Sequence, residues 1–354
     1  MQSMGKRAVI LAEGFLGSLT GKTANILVMY SGRKFDIVAV IDSRYAGRDA
    51  GEVLGLSKLG IPVVASLDEA LVYRPEVLIV GVATIGGVLP EHHRAVIRRA
   101  IECGLEIWSG LHYFLSEDPE FSKLASEHGV RIVDVRKPRR ELLRIWSGDV
   151  RKTRCGRVLI AGTDCVVGKN VTVLEVCSEL EKRGYRVGVV GTGQTMIMVG
   201  AHRGTVIDAV PSDFCPGVVE LHVLELDKEG YNPVLVEGQA SVLHPAYGQV
   251  SVAILYGCWP DAVILAHDPW RKFRDGFTVP MEPLIREIRA IEFLVPSSKV
   301  VAISIMGYGR SRDEILEMCE KIEREIGLPA ADPRRDPGRL VDSVLDRLHS
   351  IGKL

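Results

Sequence analysis

Short apolar runs bounded by glycines and polar turns recur along the whole chain and alternate with stretches of helical period. In the first part they fall at 8–11, 36–41, 61–65, 77–82, 105–108 and 130–135, with amphipathic stretches at Glu91–Glu102 and Pro119–His128 between them. Strand, helix, strand in this rhythm predicts a parallel sheet wrapped on both faces. Near-continuous apolarity agrees, because a strand covered on both sides has no polar face to present. A second series has strands predicted at 158–161, 186–190, 233–236, 262–266 and 300–305, with closing helices at 313–326 and 338–351 and a Pro-rich break from Pro329 to Pro337. The expected class is α/β, with two doubly wound parallel-sheet domains.

The boundary is placed at a basic connector, residues 137–154, between domains spanning 1–136 and 155–354. Arg136, Lys137, Arg139, Arg140, Arg144, Arg151, Lys152 and Arg154 stand there against only Glu141 and Asp149. A solvated amphipathic linker helix is expected; the alternative is that part of the cluster holds a polyanionic cofactor. At 354 residues the chain exceeds what one core usually supports, which agrees with two domains.

Composition narrows the function classes. The chain is 47% hydrophobic and 25% charged with a net charge of −1, which argues against a general nucleic-acid or membrane-surface binder. No apolar run approaches the roughly 20 residues that span a bilayer, and Met1 to Arg7 lacks the apolar core of a signal peptide. Seven scattered cysteines without a C-x-x-C suit reduced thiols, so a cytoplasmic location is expected. Three Asn and four Gln beside abundant Arg, Lys and Glu lean toward a thermophilic source.

The sharpest local signal is Gly162-Thr163-Asp164-Cys165-Val166-Val167-Gly168-Lys169-Asn170, directly after an apolar strand. A strand emptying through glycines and a lysine into a helix is the design of a phosphate-binding loop: main-chain N–H groups and the helix dipole favour an anion, and Lys169 adds a charge. The spacing departs from G-x-x-x-x-G-K-[ST], with five residues between the glycines and Asn170 where a magnesium-binding hydroxyl normally stands. The C-terminal domain is therefore expected to be P-loop NTPase-like. The N-terminal domain has its own glycine loop, Gly14 to Thr23, and Asp42 ends its second strand where a ribose-binding acid often sits. Neither glycine pattern fits, so a Rossmann-like domain that has lost or replaced its cofactor is expected, and NAD is not.

An acid at the tip of a neighbouring strand would hold Mg²⁺ beside the phosphates. Glu237 is the leading candidate, with Asp213 and Asp208 as further metal ligands, although Asp213 could instead cap a helix and Asp208 sit in a turn. Gly191-Thr192-Gly193-Gln194-Thr195 and Ser241, His244-Pro245-Ala246-Tyr247 fall at the same edge, as do His267, Asp268 and Arg271. Glu237, Gln239, His244 and Gln194 are the candidate catalytic residues. Cys165 is read as a loop residue whose backbone N–H matters rather than as a nucleophile.

G-T-D-x-x-V-G-K followed by V-E-G resembles the dethiobiotin synthetase and cobyrinic acid amidase branch of P-loop enzymes, which use ATP to activate a carboxyl or carbamate. Asn170 replaces that branch's hydroxyl, and Gly193-Gln194-Thr195 lacks a counterpart of its substrate-binding lysine. A match over almost the whole chain is to the domain of unknown function 1611 family. It is carried by Ile41-Asp42-Ser43, Ala46 to Gly51, Ser109 to His112, Gly162 to Cys165, Gly191 to Thr195, Glu237 to Gln239 and His244 to Tyr247. That resemblance implies a Rossmann-like domain joined to a P-loop domain, and some members are named D-glutamate N-acetyltransferases working from acetyl-CoA.

Two mechanisms follow. In one, the loop holds the phosphates of acetyl-CoA, an acidic amino acid's amine attacks the thioester, and His244 or Glu237 takes the proton. In the other, ATP and Mg²⁺ sit on Lys169 and Glu237, and a carboxylate is phosphorylated before an amine displaces the phosphate. A nucleotide-binding regulatory protein without turnover is the third reading. The expected partner is a small acidic amino acid, with no nucleic acid and no membrane, and a homo-oligomer is expected.

Overall fold

The computed structural model describes residues 5–82 and 89–354, which form two compact units. The first comprises Met1–Lys137 with Gln194–Gly200, the second Pro138–Gly193 with Ala201–Leu354.

In the first unit, β1 (Lys6–Leu11), β2 (Phe35–Ile41), β3 (Val63–Val64), β4 (Val77–Val80), β5 (Glu106–Ser109) and β6 (Ile132–Asp134) form one parallel sheet in the order β3-β2-β1-β4-β5-β6. This is the dinucleotide-fold order, with its topological switch between β1 and β4. Helices α1 (Lys22–Met29), α2 (Ala50–Val53), α3 (Leu67–Leu71), α4 (Glu91–Glu102) and α5 (Pro119–His128) cover it. Their ends follow local chemistry: Asp118 caps α5 through Glu120 N and Phe121 N, Pro119 opens it, and Gly129 closes it at φ 64°.

The second unit carries β7 (Arg157–Gly162), β8 (Gly188–Gly191), β9 (Arg203–Gly204), β10 (Val234–Glu237), β11 (Ala262–His267), β12 (Lys299–Ile305) and β13 (Ala330–Ala331), again parallel, in the order β13-β12-β11-β7-β10-β8-β9. Its central strand β7 is buried along its whole length, as the apolar run implies. The helices in this part of the chain are α6 (Lys169–Lys182), α7 (Gln194–Val199), α8 (Cys215–Lys228), α9 (Gly248–Cys258), α10 (Leu284–Leu294), α11 (Arg312–Ile326) and α12 (Pro337–Ser350). The two-residue edge strands β9 and β13 were not anticipated, being too short to carry a period; β13 lies in the Pro-rich stretch read as a break. No helix among the described residues is long and apolar enough to cross a membrane.

Two expectations need correction. The basic connector is not a linker helix: it runs as irregular chain with 3-10 turns at Arg140–Leu142 and Asp149–Lys152. The cause is Glu220 of α8, 2% exposed, whose carboxylate accepts from Ser147 N at 2.6 Å and Val150 N at 3.1 Å, taking the amides that a helix would use internally. Arg136 is likewise buried and donates to Gly110 O and Gln194 Oε1. The second correction is α7, which belongs to the first unit although its sequence lies inside the second. Thr195 Oγ1 pairs with Thr23 Oγ1 at 2.8 Å, and Lys34 Nζ donates to Ile197 O at 2.9 Å.

Beneath the β7 edge lies a buried ion pair. Arg274, 2% exposed, has Nη2 3.4 Å from Glu287 Oε1, and the same carboxylate oxygen accepts from Ser241 Oγ at 2.7 Å. Burial pushes Glu287 up to about 7, against the opposing pull of Ser241 and Arg274.

Two measurements follow from these contacts. An added Cβ at Gly217 would lie 2.0 Å from Arg144 O, so Gly217→Ala must displace the connector backbone from α8; a loss of about 2 kcal/mol is expected in urea unfolding. Glu287 holds a proton in the native state that it sheds when unfolded, between its ordinary 4.5 and about 7. The native state therefore binds more protons across that window, and stability falls as pH rises through it. Comparing urea midpoints from about pH 5 to about pH 8, Glu287→Gln should flatten that decline; identical slopes in the two proteins would refute the assignment.

Candidate functional site: an anion loop with its carbonyls held

The loop after β7 turns at Val166, which takes φ 50°, and at Gly168, φ 96°, before α6 begins. No side chain caps α6, and its first turn has no acidic residue, so its amides and dipole face outward without a built-in anion. A Cβ at Gly162 would meet the Lys169 side chain at 2.7 Å and Ala240 O at 3.0 Å, so the glycine leaves the lysine its present path.

The carbonyls of the loop are held in succession by cations. Thr163 O accepts from Arg274 Nη1 at 3.0 Å, Asp164 O from Lys169 Nζ at 2.6 Å, Cys165 O from Arg271 Nη1 at 2.7 Å and Val166 O from Arg271 Nη2 at 3.0 Å. A peptide whose C=O is fixed one way has its N–H fixed the other way, because the unit is planar. The Asp164 carboxylate adds an internal brace, with Oδ2 accepting from Arg271 Nη1 at 3.1 Å and Asp275 N at 2.7 Å. Thr163 Oγ1 lies 3.0 Å from Nδ1 of His267, whose imidazole is driven down to about 4 by burial and by Arg271, and so is neutral.

His244 is buried, and its Nδ1 accepts from Ala246 N at 3.1 Å and Tyr247 N at 3.2 Å. Burial first, then Arg274, lowers its pKa, with Asp164 opposing. Two N–H groups aimed at Nδ1 place the proton of the neutral ring on Nε2, which lies 3.4 Å from Asp164 Oδ1. Its ring stacks on Tyr247 at 4.7 Å and meets Phe277 edge-on at 5.2 Å. In this arrangement Nε2 is a donor and is not poised to accept a proton.

Among the described residues, one set of three or more His, Cys, Asp or Glu side chains converges closely enough for a metal: Asp164, Cys165 and His244, within 4.8 Å. The histidine does not fit that use. A ligating imidazole donates its other N–H outward, whereas here the other nitrogen already accepts two donors.

Glu237, at the tip of β10, is 5% exposed and wrapped in donors: Thr192 N at 2.8 Å, Gly193 N at 2.9 Å and Asn170 Nδ2 at 2.8 Å. Gln239 Nε2 donates to Thr192 O at 2.7 Å, tightening the same turn. Asp208 and Asp213, expected beside Glu237, are exposed, and among the described residues no converging group of three or more potential ligands includes them. Gln194, expected to act with Glu237, packs in the first unit against Gly110 and Arg136. The residues present fit a bound Mg²⁺ poorly: the carboxylate already accepts from three N–H groups, and the Thr172 hydroxyl is turned inward to Gly168 O and Ser304 Oγ. Arg274 and Glu287 escaped the sequence reading; the one available signal was the Arg271-x-x-Arg274 spacing just past β11.

Known proteins agree with this architecture. A family described as Domain of unknown function (DUF1611_C) P-loop domain matches residues 144–341, and Domain of unknown function (DUF1611_N) Rossmann-like domain matches residues 43–138. A relative from Tritonibacter scottomollicae is 33% identical over 300 residues, covering 83% of this chain and 86% of its own length. Another, from Pseudoalteromonas sp, is 33% identical over 288 residues, covering 80% and 84%. Both are named D-glutamate N-acetyltransferase. The crystal structure of a DUF1611 family protein from Anabaena variabilis superposes with a TM-score of 0.90 at 32% identity, over 97% of this chain and 100% of that one. With its Rossmann-like and P-loop halves both matched, the chain belongs to the DUF1611 family.

Proposed function

We propose that this chain is an N-acetyltransferase of small amino-acid metabolism, moving an acetyl group from acetyl-CoA to the amine of an acidic amino acid such as D-glutamate. The observation that carries the reading is the loop 162–170, with its carbonyls held by Lys169, Arg271 and Arg274, in a chain whose relatives over four-fifths of its length bear that name. The loop fits the phosphates of a coenzyme: uncapped α6 amides, a helix dipole and the Lys169 ammonium are the donors a phosphate takes.

Bound there, the coenzyme would supply an acetyl thioester: the amine's C–N bond would form as the C–S bond breaks, and the departing thiolate would take up the proton that the nitrogen loses, giving the free thiol. Lys169 and the α6 amides bind and fix the phosphate end. His244 contributes a neutral Nε2–H beside Asp164, a donor for an anionic oxygen. Glu237 keeps the Thr192–Gly193 turn in place rather than taking the amine's proton, since its oxygens already serve three N–H groups. An ATP-dependent ligase would call on Glu237, Asp213 and Asp208 for Mg²⁺, and no such set is assembled.

Mass spectrometry of D-glutamate incubated with acetyl-CoA and the protein should find N-acetylglutamate and free thiol in equal amounts. Product formed only with ATP would reject the acetyltransferase reading in favour of a ligase. Lys169→Ala should weaken coenzyme A binding by about 10- to 100-fold, the worth of one charge-assisted hydrogen bond, with the circular dichroism spectrum unchanged. Unaltered affinity in that variant would place the coenzyme elsewhere.

A further inference from the structure

We infer that the phosphate loop works without a divalent cation, with the Asn170 side chain standing where the standard loop has its magnesium-binding hydroxyl. The inference rests on the loop being a phosphate site, as proposed above, and adds the class of phosphate ligand it accepts: one bound as the bare anion, such as a coenzyme A or free diphosphate, rather than as a magnesium complex.

Magnesium asks for an octahedron of oxygens, commonly one or two carboxylates with phosphate oxygens and water. The residue after the loop lysine ordinarily offers a hydroxyl oxygen, and the acid of the neighbouring strand a second contact. Both positions are occupied differently here. Asn170 Nδ2 donates to Glu237 Oε1 at 2.8 Å, and Glu237 Oε2 accepts from Thr192 N at 2.8 Å and Gly193 N at 2.9 Å. That hydrogen bond holds the amide with Nδ2 toward the carboxylate, so offering Oδ1 instead would cost the bond.

No substitute hydroxyl is at hand two residues on: Thr172 Oγ1 is bonded to Gly168 O at 3.0 Å and lies 2.7 Å from Ser304 Oγ, turned away into the core. Asp208 and Asp213 are exposed and outside any converging acidic set among the described residues. Meanwhile the charge that magnesium would supply is present in the protein, as Lys169 at the loop with Arg271 and Arg274 behind its carbonyls. An amide donor linked to a carboxylate that already accepts from two main-chain N–H groups is an arrangement for holding backbone rather than for ligating a cation.

Isothermal titration with coenzyme A, ADP and inorganic diphosphate, each in excess EDTA and in excess magnesium chloride, tests this. The expected result is that at least one of the three binds in EDTA, and that its Kd changes by less than about twofold when magnesium is added. Asn170→Thr, which restores a hydroxyl and removes the amide donor from Glu237 Oε1, should make ADP binding respond to magnesium while the wild type does not. Binding only in magnesium, a loss of tenfold or more in EDTA, or no binding of any of the three in either condition overturns the inference. Metal-free binding of coenzyme A without acetylation of D-glutamate would leave it standing and reject the transfer reaction instead.

Discussion

Capturing an anion with main-chain amides requires that the carbonyls of the same peptides be held elsewhere, and this requirement organises the second unit. Thr163, Asp164, Cys165 and Val166 each give up a carbonyl oxygen to a cationic side chain. The arginines responsible come from the segment after β11, the strand hydrogen-bonded next to β7. The segment after β11 is therefore a structural part of the phosphate loop. Arg274 also reaches Leu243 O at 3.2 Å, immediately before His244, so one buried guanidinium sets the loop and the His244 turn together. Its neighbour Glu287 balances that charge only in part, since burial leaves the carboxyl close to half-protonated near neutrality.

The same reasoning explains the treatment of acids at this edge. A loop that must attract phosphate cannot leave carboxylates pointing into it. Asp164 is braced by Arg271 and Asp275 N, and Glu237 by Asn170, Thr192 and Gly193. Each carboxylate fixes backbone, and its charge is offset by hydrogen bonds from donors.

How far the sequence anticipated this depended on range. Strands β1 to β8 and β10 to β12, apart from the short β9, and helices such as Glu91–Glu102 and Pro119–His128 were legible, because burial on both faces and capping at Asp118, Ser311 and Gly129 are written locally. The phosphate loop was legible for the same reason. The connector was misread because its conformation is decided by Glu220, about seventy residues away, and by the missing Cβ of Gly217. The placement of α7 was invisible: six residues of helical character carry no mark of which sheet they cover. Glu237 was legible as an acid at a strand tip, but its burial and the three N–H donors around it could not be read from spacing.

The two glycine loops of the chain make the closing comparison. Both follow the first strand of a parallel sheet and lead into a helix, so topology alone assigns them the same role. In the first unit the loop's amides are spent on side chains around it: Leu16 N donates to Asp42 Oδ2 at 3.1 Å, Gly17 N to Asn25 Oδ1 at 2.9 Å and Gly21 N to Ser18 Oγ at 3.1 Å. Asp42, the acid in the ribose position, is fully buried and further held by Arg44. In the second unit cationic side chains take up the loop's carbonyls. An oxygen-rich set of neighbours closes the first loop on itself, and a cation-rich set opens the second to an anion. The difference lies in the side chains around the turn, Asp42, Asn25 and Ser18 against Lys169, Arg271 and Arg274, and that choice of partners, more than the glycines, decides which sheet presents its amides to a ligand.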